Sequence, residues 1–241
     1  MAEGGRNVKT PDVVYEDNHL LIACKPPNMP TQGDPTGDPD LLSVMKDYLK
    51  EKHGKPGEAY LGLVHRLDRP VGGLVALAKT SKAAARLSEQ VRTKTMDRQY
   101  LTVVRGETPE EGELTDWLLK YAGTNTVHVV PAGRRGAKEA RLSFRQLATR
   151  EGMSLLLVKL YTGRSHQIRV QLTHAGFPLW GDGRYGGGKP GQQIALWGAF
   201  LSLTHPTKKT RLHFSTLPPA EAEPWNLFQE EIAGAVPDWN P

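Results

Sequence analysis

Seven short runs of aliphatic and β-branched residues constrain this chain most: 13–15, 20–23, 73–78, 99–104, 126–130, 140–147 and 153–161. Each has the length and flanking punctuation of a strand. The first two, joined by a polar turn at 16–19, predict an opening hairpin. Only three segments carry helical spacing. In 41–51, Leu41, Leu42, Met45, Tyr48 and Leu49 share one side. A second helix, capped at Thr80 or Ser81 and running to 94, has Ala84, Leu87 and Val91 as its stripe. The third spans 165–175, with Ser165 as cap, Ile168 and Leu172 one turn apart, and Gly176 as stop. Many strands and few helices predict an α+β fold.

The connections are informative too. Residues 26–39 are dense in Pro, Gly and Asp, which suits a loop over a cleft. Residues 181–193 are glycine-rich, and Gly186-Gly187-Gly188-Lys189 within them reads as flexible. One main domain is expected over 13–217, preceded by a loose N-terminus (1–12). A tail (218–241) carrying Trp225 and Trp239 is expected to pack on the surface.

Composition narrows the class. The 241 residues are 38% hydrophobic, with no run long enough to span a membrane. A single cysteine, Cys24, cannot form an internal disulfide, and no secretion signal precedes Val13. A cytoplasmic monomer is expected. Lys and Arg number 31 against 26 Asp and Glu, a formal net charge of +5 that favours an anionic partner such as RNA.

Chemistry concentrates in residues 62–74, Gly-Leu-Val-His-Arg-Leu-Asp-Arg-Pro-Val-Gly-Gly-Leu. Asp68 sits between Arg66 and Arg69 on a short loop between apolar runs. Flanking guanidinium groups favour the ionised carboxylate, which can act as nucleophile or base, while the arginines can also reach phosphate. An aspartate before Arg-Pro also simply starts turns. A second block, 161–169, places Arg164 just before the third helix and Arg169 within it, flanking the apolar stripe. A buried arginine wants a carboxylate, and Asp68 is the expected partner, through a bidentate contact. The basic turn at 131–138, with Arg134 and Arg135, can lie along a phosphate backbone or be an idle surface turn.

Other signals carry less. His65, His166, His174, His205 and His213 show no paired ligand spacing and no cysteine support, so no metal site is expected. Gly186-Gly187-Gly188-Lys189 lacks the following Ser or Thr and the spacing of a phosphate loop. His65-Arg66 followed by Asp68 does not follow the order of a kinase catalytic loop.

With the His65-Arg66-Leu67-Asp68 block, Tyr100 in the next strand and the Gly163-to-Arg169 block in this order, the chain resembles the RluA-like pseudouridine synthases. The shared segments are 62–79, 98–105, 162–187 and 203–214, and the likeness covers most of 13–217. It implies a mixed, mainly antiparallel sheet with flanking helices around a central RNA-binding cleft. It also implies isomerisation of uridine in ribosomal or transfer RNA without a cofactor. Asp68 would be the essential carboxylate, Tyr100 would stack on the uracil, Arg169 would pair with Asp68, and Arg66 would fill the gap left by the flipped base. His65, Arg69, Arg164, His166, Gln167, Arg134 and Arg135 are the remaining candidate RNA contacts.

Gly72 stands where relatives often carry Ser, and Leu196-Trp197-Gly198 replaces the commoner Leu-His-Ala. Gly72 is expected to loosen the loop and Trp197 to reshape the pocket. Two other functions fit the same basic surface: a non-catalytic RNA-binding or ribosome-assembly factor, and an Asp-dependent nucleoside hydrolase that releases free uracil.

Overall fold

The strand-forming runs pair edge to edge in one mixed sheet. The computed structural model describes residues 9–54 and 57–239. In chain order the strands are β1 (Asp12–Glu16), β2 (Leu20–Lys25), β3 (Gly62–Leu63), β4 (Gly72–Ala78), β5 (Asp97–Arg105) and β6 (Glu111–Tyr121). They continue with β7 (Thr126–Val130), β8 (Lys138–Arg150), β9 (Met153–Leu160), β10 (Leu196–Thr204) and β11 (Arg211–Ser215). Their spatial order is β1-β2-β4-β10-β5-β9-β8-β6-β7, with β3 added to β4 and β11 to β10. Among the described residues every pairing is antiparallel except β4 with β10, which run parallel through Gly72 opposite Trp197 and Gly73 opposite Gly198. This is the expected α+β class.

The expected loose N-terminus falls mostly on residues 1–8, which lie outside the described residues, and β1 already includes Asp12. β3, β6, β10 and β11 lie outside the expected strands. β10 is buried along nearly its whole length, so its sequence lacks the alternation that marks a half-exposed strand.

Helices cover the sheet where the apolar stripes lie. Helix α1 (Leu41–His53) starts at Asp40, whose carboxylate accepts the Ser43 N–H, and ends at left-handed Gly54. Helix α2 (Ser81–Arg92) is capped by Thr80 and buries Ala83 and Leu87. Helix α3 (Gln167–His174) buries six successive residues, 167–172, so it lies inside the molecule rather than on it. It begins later than expected and Ser165 does not cap it. His166 holds the cap position at φ 54°, while the Gln167 side chain accepts the Arg164 N–H.

One core cluster joins Leu41, Met45 and Leu49 of α1, Leu67 and Val71 of the Asp68 loop, Tyr100 of β5, and Ile168 and Leu172 of α3. Four segments distant in sequence are thereby fixed around one point. A second cluster takes up the tail through Trp225, Phe228 and Ile232, the last in the short helix α4 (Gln229–Ala233). The Asp238 carbonyl accepts hydrogen bonds from Gln99 and Lys159. No helix of the described residues is long and apolar enough to cross a membrane.

Candidate active site

The Asp68 loop is clamped from beneath. Thr31 donates its hydroxyl to the Leu67 carbonyl at 2.7 Å and accepts the Leu67 N–H at 3.3 Å. Lys25 is fully buried, and its ammonium donates to the carbonyls of Pro26, Met29 and Arg69 at 3.0, 2.7 and 3.1 Å. Burial pushes the Lys25 pKa down to about 7, while three carbonyl acceptors call for the three N–H donors of the charged form. The Pro-rich loop and the Asp68 loop thus share one internal brace.

Asp68 meets Arg169, which α3 holds nearly buried, through Arg169 Nη1 to Asp68 Oδ2 at 3.3 Å. The bidentate partner is a different acid. Arg169 Nε and Nη2 each donate to Asp182 at 2.8 Å, and Asp182 also accepts the backbone N–H groups of Arg184 and Tyr185. The expected fork to Asp68 is therefore corrected to a single contact. Arg169 has more donors than one half-exposed carboxylate can engage, and it spends two of them on the buried acid. Burial works against the Arg169 charge, but Asp182 and then Asp68 outweigh it and hold the guanidinium firmly charged.

Asp182 belongs to the glycine-rich segment, whose stretch 186–189, expected to be flexible, is instead closely packed: Gly181 sits at φ +73°, and a Cβ there would lie 2.3 Å from the Gln193 carbonyl oxygen. A Cβ on Gly188 would lie 2.6 Å from the Gly181 carbonyl carbon. The glycines serve close approach, and that approach presents Asp182 to Arg169.

Asp68, Tyr100 and Arg169 line one cavity of about 230 Å³, together with Arg66, Arg98, Arg164 and Leu196. Tyr100, buried on β5, has no hydrogen-bond partner among the described residues; burial pushes its phenol pKa up. Arg98, two residues earlier, is a cation that sequence reasoning passed over. Its buried Nε lacks a partner, and its guanidinium nearly fills the space a Cβ on Gly163 would need. On the other side of Asp68 a second cleft of about 500 Å³ is lined by Arg66, Lys120, Arg184 and His166. Lys120 and Arg184 come from segments in which no basic pattern stood out.

The other candidate RNA contacts divide. Arg66 is exposed and borders both cavities. Arg164 is exposed, with its Nε donating to the Glu139 carbonyl at 2.8 Å. Arg69 lines the second cleft, with its guanidinium engaged by Asp38, Thr36 and Asp34 of the Pro-rich loop. His65 is a core histidine: its Nε2 accepts the Ala76 N–H at 2.9 Å, and burial followed by the Arg98 charge lowers its pKa to about 3. Gln167 is buried with its amide engaged by Thr162, Arg164 and Arg141, so it braces the start of α3. Arg134 and Arg135 are exposed on the β7–β8 hairpin and line neither cavity.

The two departures from the family pattern meet each other. The Trp197 ring occupies the space a Gly72 side chain would fill, and Trp197 packs into the second core cluster, not the Asp68 cavity. Gly72 therefore does not loosen the loop, and Leu196 is the neighbour that shapes the pocket. Among the described residues no three His, Cys, Asp or Glu side chains cluster to hold a metal ion.

Comparison with known proteins gives one consistent result. A family model described as RNA pseudouridylate synthase matches residues 19–174. The ribosomal large subunit pseudouridine synthase D of Yersinia pestis is 32% identical over 210 residues, covering 86% of this chain and 62% of that protein. The protein of the same description from Zymomonas mobilis is 30% identical over 226 residues, covering 88% and 70%. The chain thus spans somewhat under two thirds of the Yersinia relative's length. In fold it is similar to human RNA pseudouridylate synthase domain containing 4, with a TM-score of 0.73, 20% identity and 92% of each chain covered.

Proposed function

Because the chain belongs to the RNA pseudouridylate synthase family, we propose that it converts uridine to pseudouridine in RNA, with Asp68 as its catalytic carboxylate. The observation that carries this reading is the meeting of Asp68, Tyr100 and Arg169 around one cavity. Its volume, about 230 Å³, is roughly eight times the share of one water in the liquid, which suits a flat base of eight non-hydrogen atoms such as uracil. The relatives' descriptions favour large-subunit ribosomal RNA as substrate. With that substrate the enzyme would act in the cytoplasm.

The chemistry follows from the groups present. A stacked uridine is out of reach, so the nucleotide must be extruded into the cavity. Tyr100 offers an aromatic face to the uracil, and Arg66, exposed at the mouth, is flat enough to stack where the base had been. The Asp68 carboxylate attacks C1′ of the ribose, and uracil departs with the N1–C1′ electron pair. The base turns in place and C5 bonds to C1′ as the carboxylate leaves. The proton on C5 is then lost and N1 gains one, so product and substrate are isomers. Arg66, Lys120 and Arg184 along the second cleft supply positive charge for flanking phosphates.

Large-subunit ribosomal RNA carrying tritium at C5 of uracil tests the reading, because C5 must lose its hydrogen. Wild-type protein should release tritium to water with no free uracil, and Asp68→Ala should release none. Binding without release would make the protein an RNA-binding factor. Free labelled uracil would make it a hydrolase. Either outcome overturns the proposal.

A further inference from the structure

Tyr185 and His166 form a chain of polar contacts that ends at Asp68. Tyr185 follows Asp182 in the packed glycine-rich segment, which fixes its backbone through the Asp182 carboxylate. Its ring also lies under the Arg169 guanidinium, 5.1 Å from ring centre to Cζ. The Tyr185 oxygen accepts the Val127 N–H at 2.9 Å and stands 2.7 Å from His166 Nδ1. A phenol has one proton to donate, and His166 Nδ1 is the acceptor in reach. Burial keeps Tyr185 a phenol by pushing its pKa up.

The proton arithmetic then fixes the imidazole. Burial lowers the His166 pKa, with Asp68 opposing and Arg169, Arg184 and Lys120 reinforcing, so the ring carries one proton. An Nδ1 that accepts from Tyr185 leaves that proton on Nε2. Nε2 lies 4.0 Å from Asp68 Oδ2, the same oxygen that Arg169 Nη1 reaches at 3.3 Å. Asp68 Oδ1 has no hydrogen-bond partner among the described residues. Arg169 thus holds Oδ2, and the Nε2–H stands close enough to become a second donor to the same oxygen.

We propose that Tyr185 and His166 are a positioning relay: the phenol holds the imidazole in its Nε2–H form, and that N–H, with Arg169, holds Oδ2 of Asp68 so that Oδ1 is the atom that attacks the sugar. This rests on the isomerase reading above. At 4.0 Å the contact is not yet a hydrogen bond, and RNA seated against Asp68 is expected to tighten it, as catalytic contacts commonly tighten around a substrate.

The test uses nitrogen-15 NMR of histidine-labelled protein, with the His166 signals assigned by their loss in His166→Gln. Wild-type protein at neutral pH should show an unprotonated Nδ1 and a protonated Nε2. In Tyr185→Phe the tautomers should redistribute toward Nδ1–H. Tritium release should fall about tenfold in kcat with KM changed less than about twofold, as for a misplaced rather than a missing reactive group. A doubly protonated or Nδ1-protonated His166 in the wild type overturns the relay without reference to any variant's folding. So does a folded Tyr185→Phe with unchanged kcat. Wild-type protein that releases no tritium overturns the isomerase reading and the relay's role with it, whereas a wrong tautomer in protein that does release tritium overturns the relay alone.

Discussion

Replacing Gly72 by Ser should damage this protein, and replacing Trp197 by His at the same time should repair much of the damage. A Cβ on Gly72 would lie 2.1, 2.6 and 2.9 Å from three carbons of the Trp197 ring, where carbon atoms ordinarily rest about 3.5–4.0 Å apart. The ring cannot swing away cheaply, because it is buried among neighbours including Phe200 and Trp225. The strands cannot part either. Gly72 and Gly73 pair with Trp197 and Gly198, and a Cβ on Gly73 would meet the Gly198 backbone at 2.4 Å. Overpacking in such a setting costs about 1–3 kcal/mol or more. In a domain of this size that lowers Tm by about 2–12 °C, at roughly 2–4 °C per kcal/mol.

Trp197→His alone should also destabilise, by opening a cavity where the larger ring stood. The Trp197 indole N–H has no partner in its buried position, so the ring contributes by filling space. The double variant should therefore be more stable than the sum of the singles predicts, with a coupling of about 1–3 kcal/mol. Thermal unfolding of the four proteins under one buffer measures this. Additivity within about 0.5 kcal/mol, or a Gly72→Ser protein melting within about 2 °C of wild type, would refute the view that these positions share one volume.

The two acids around Arg169 should separate stability from chemistry. Asp182→Ala leaves a nearly buried guanidinium without its main partner and should cost about 3–5 kcal/mol in urea unfolding, whereas Asp68→Asn removes one half-exposed contact and should cost under about 1 kcal/mol while abolishing tritium release; the reverse ranking would show that the partners are misassigned. His65 gives a pH dependence: the unfolded chain gains the proton below pH 6.5 and the folded protein only near 3, so its contribution to stability is lost as pH falls from 6.5 toward 3. Between pH 6.5 and 5, above the usual carboxylate range, His65→Leu should show a smaller loss of stability per pH unit than wild type, and an identical slope in the two proteins would contradict a neutral, buried His65.

The sequence revealed most of the half-exposed elements and also the buried apolar runs of β2, β4 and β9. β7 coincides with the run at 126–130, and α1 and α2 lie where their stripes predict them, because a half-exposed element alternates apolar and polar residues at its own period. β10 has no wet face, and Gly198 interrupts its apolar run. β6 fails for another reason: its first half, Glu111-Gly112-Glu113, is charged and small where Gly112 leaves room for the Phe144 ring, and its apolar residues Leu118 and Leu119 are adjacent rather than alternating.

At the site, local chemistry was legible and partner choice was not. The rule that a buried arginine needs a carboxylate brings Asp68 and Arg169 into contact, as the structure has them, but it cannot say how many acids share the guanidinium. Asp182 stood among glycines, and glycine has two opposite uses, freedom in an open loop and close approach in a packed one. The sequence is the same in both cases; only the neighbouring backbone at 193–194 distinguishes them. The polar residues of the two motifs pose the same ambiguity. His65 turns inward to accept the Ala76 N–H of β4, and Gln167 to accept the Arg164 N–H at the start of α3, because buried backbone donors need partners. Residues beside a reactive group are therefore as apt to hold its scaffold as to touch RNA, and burial decides which.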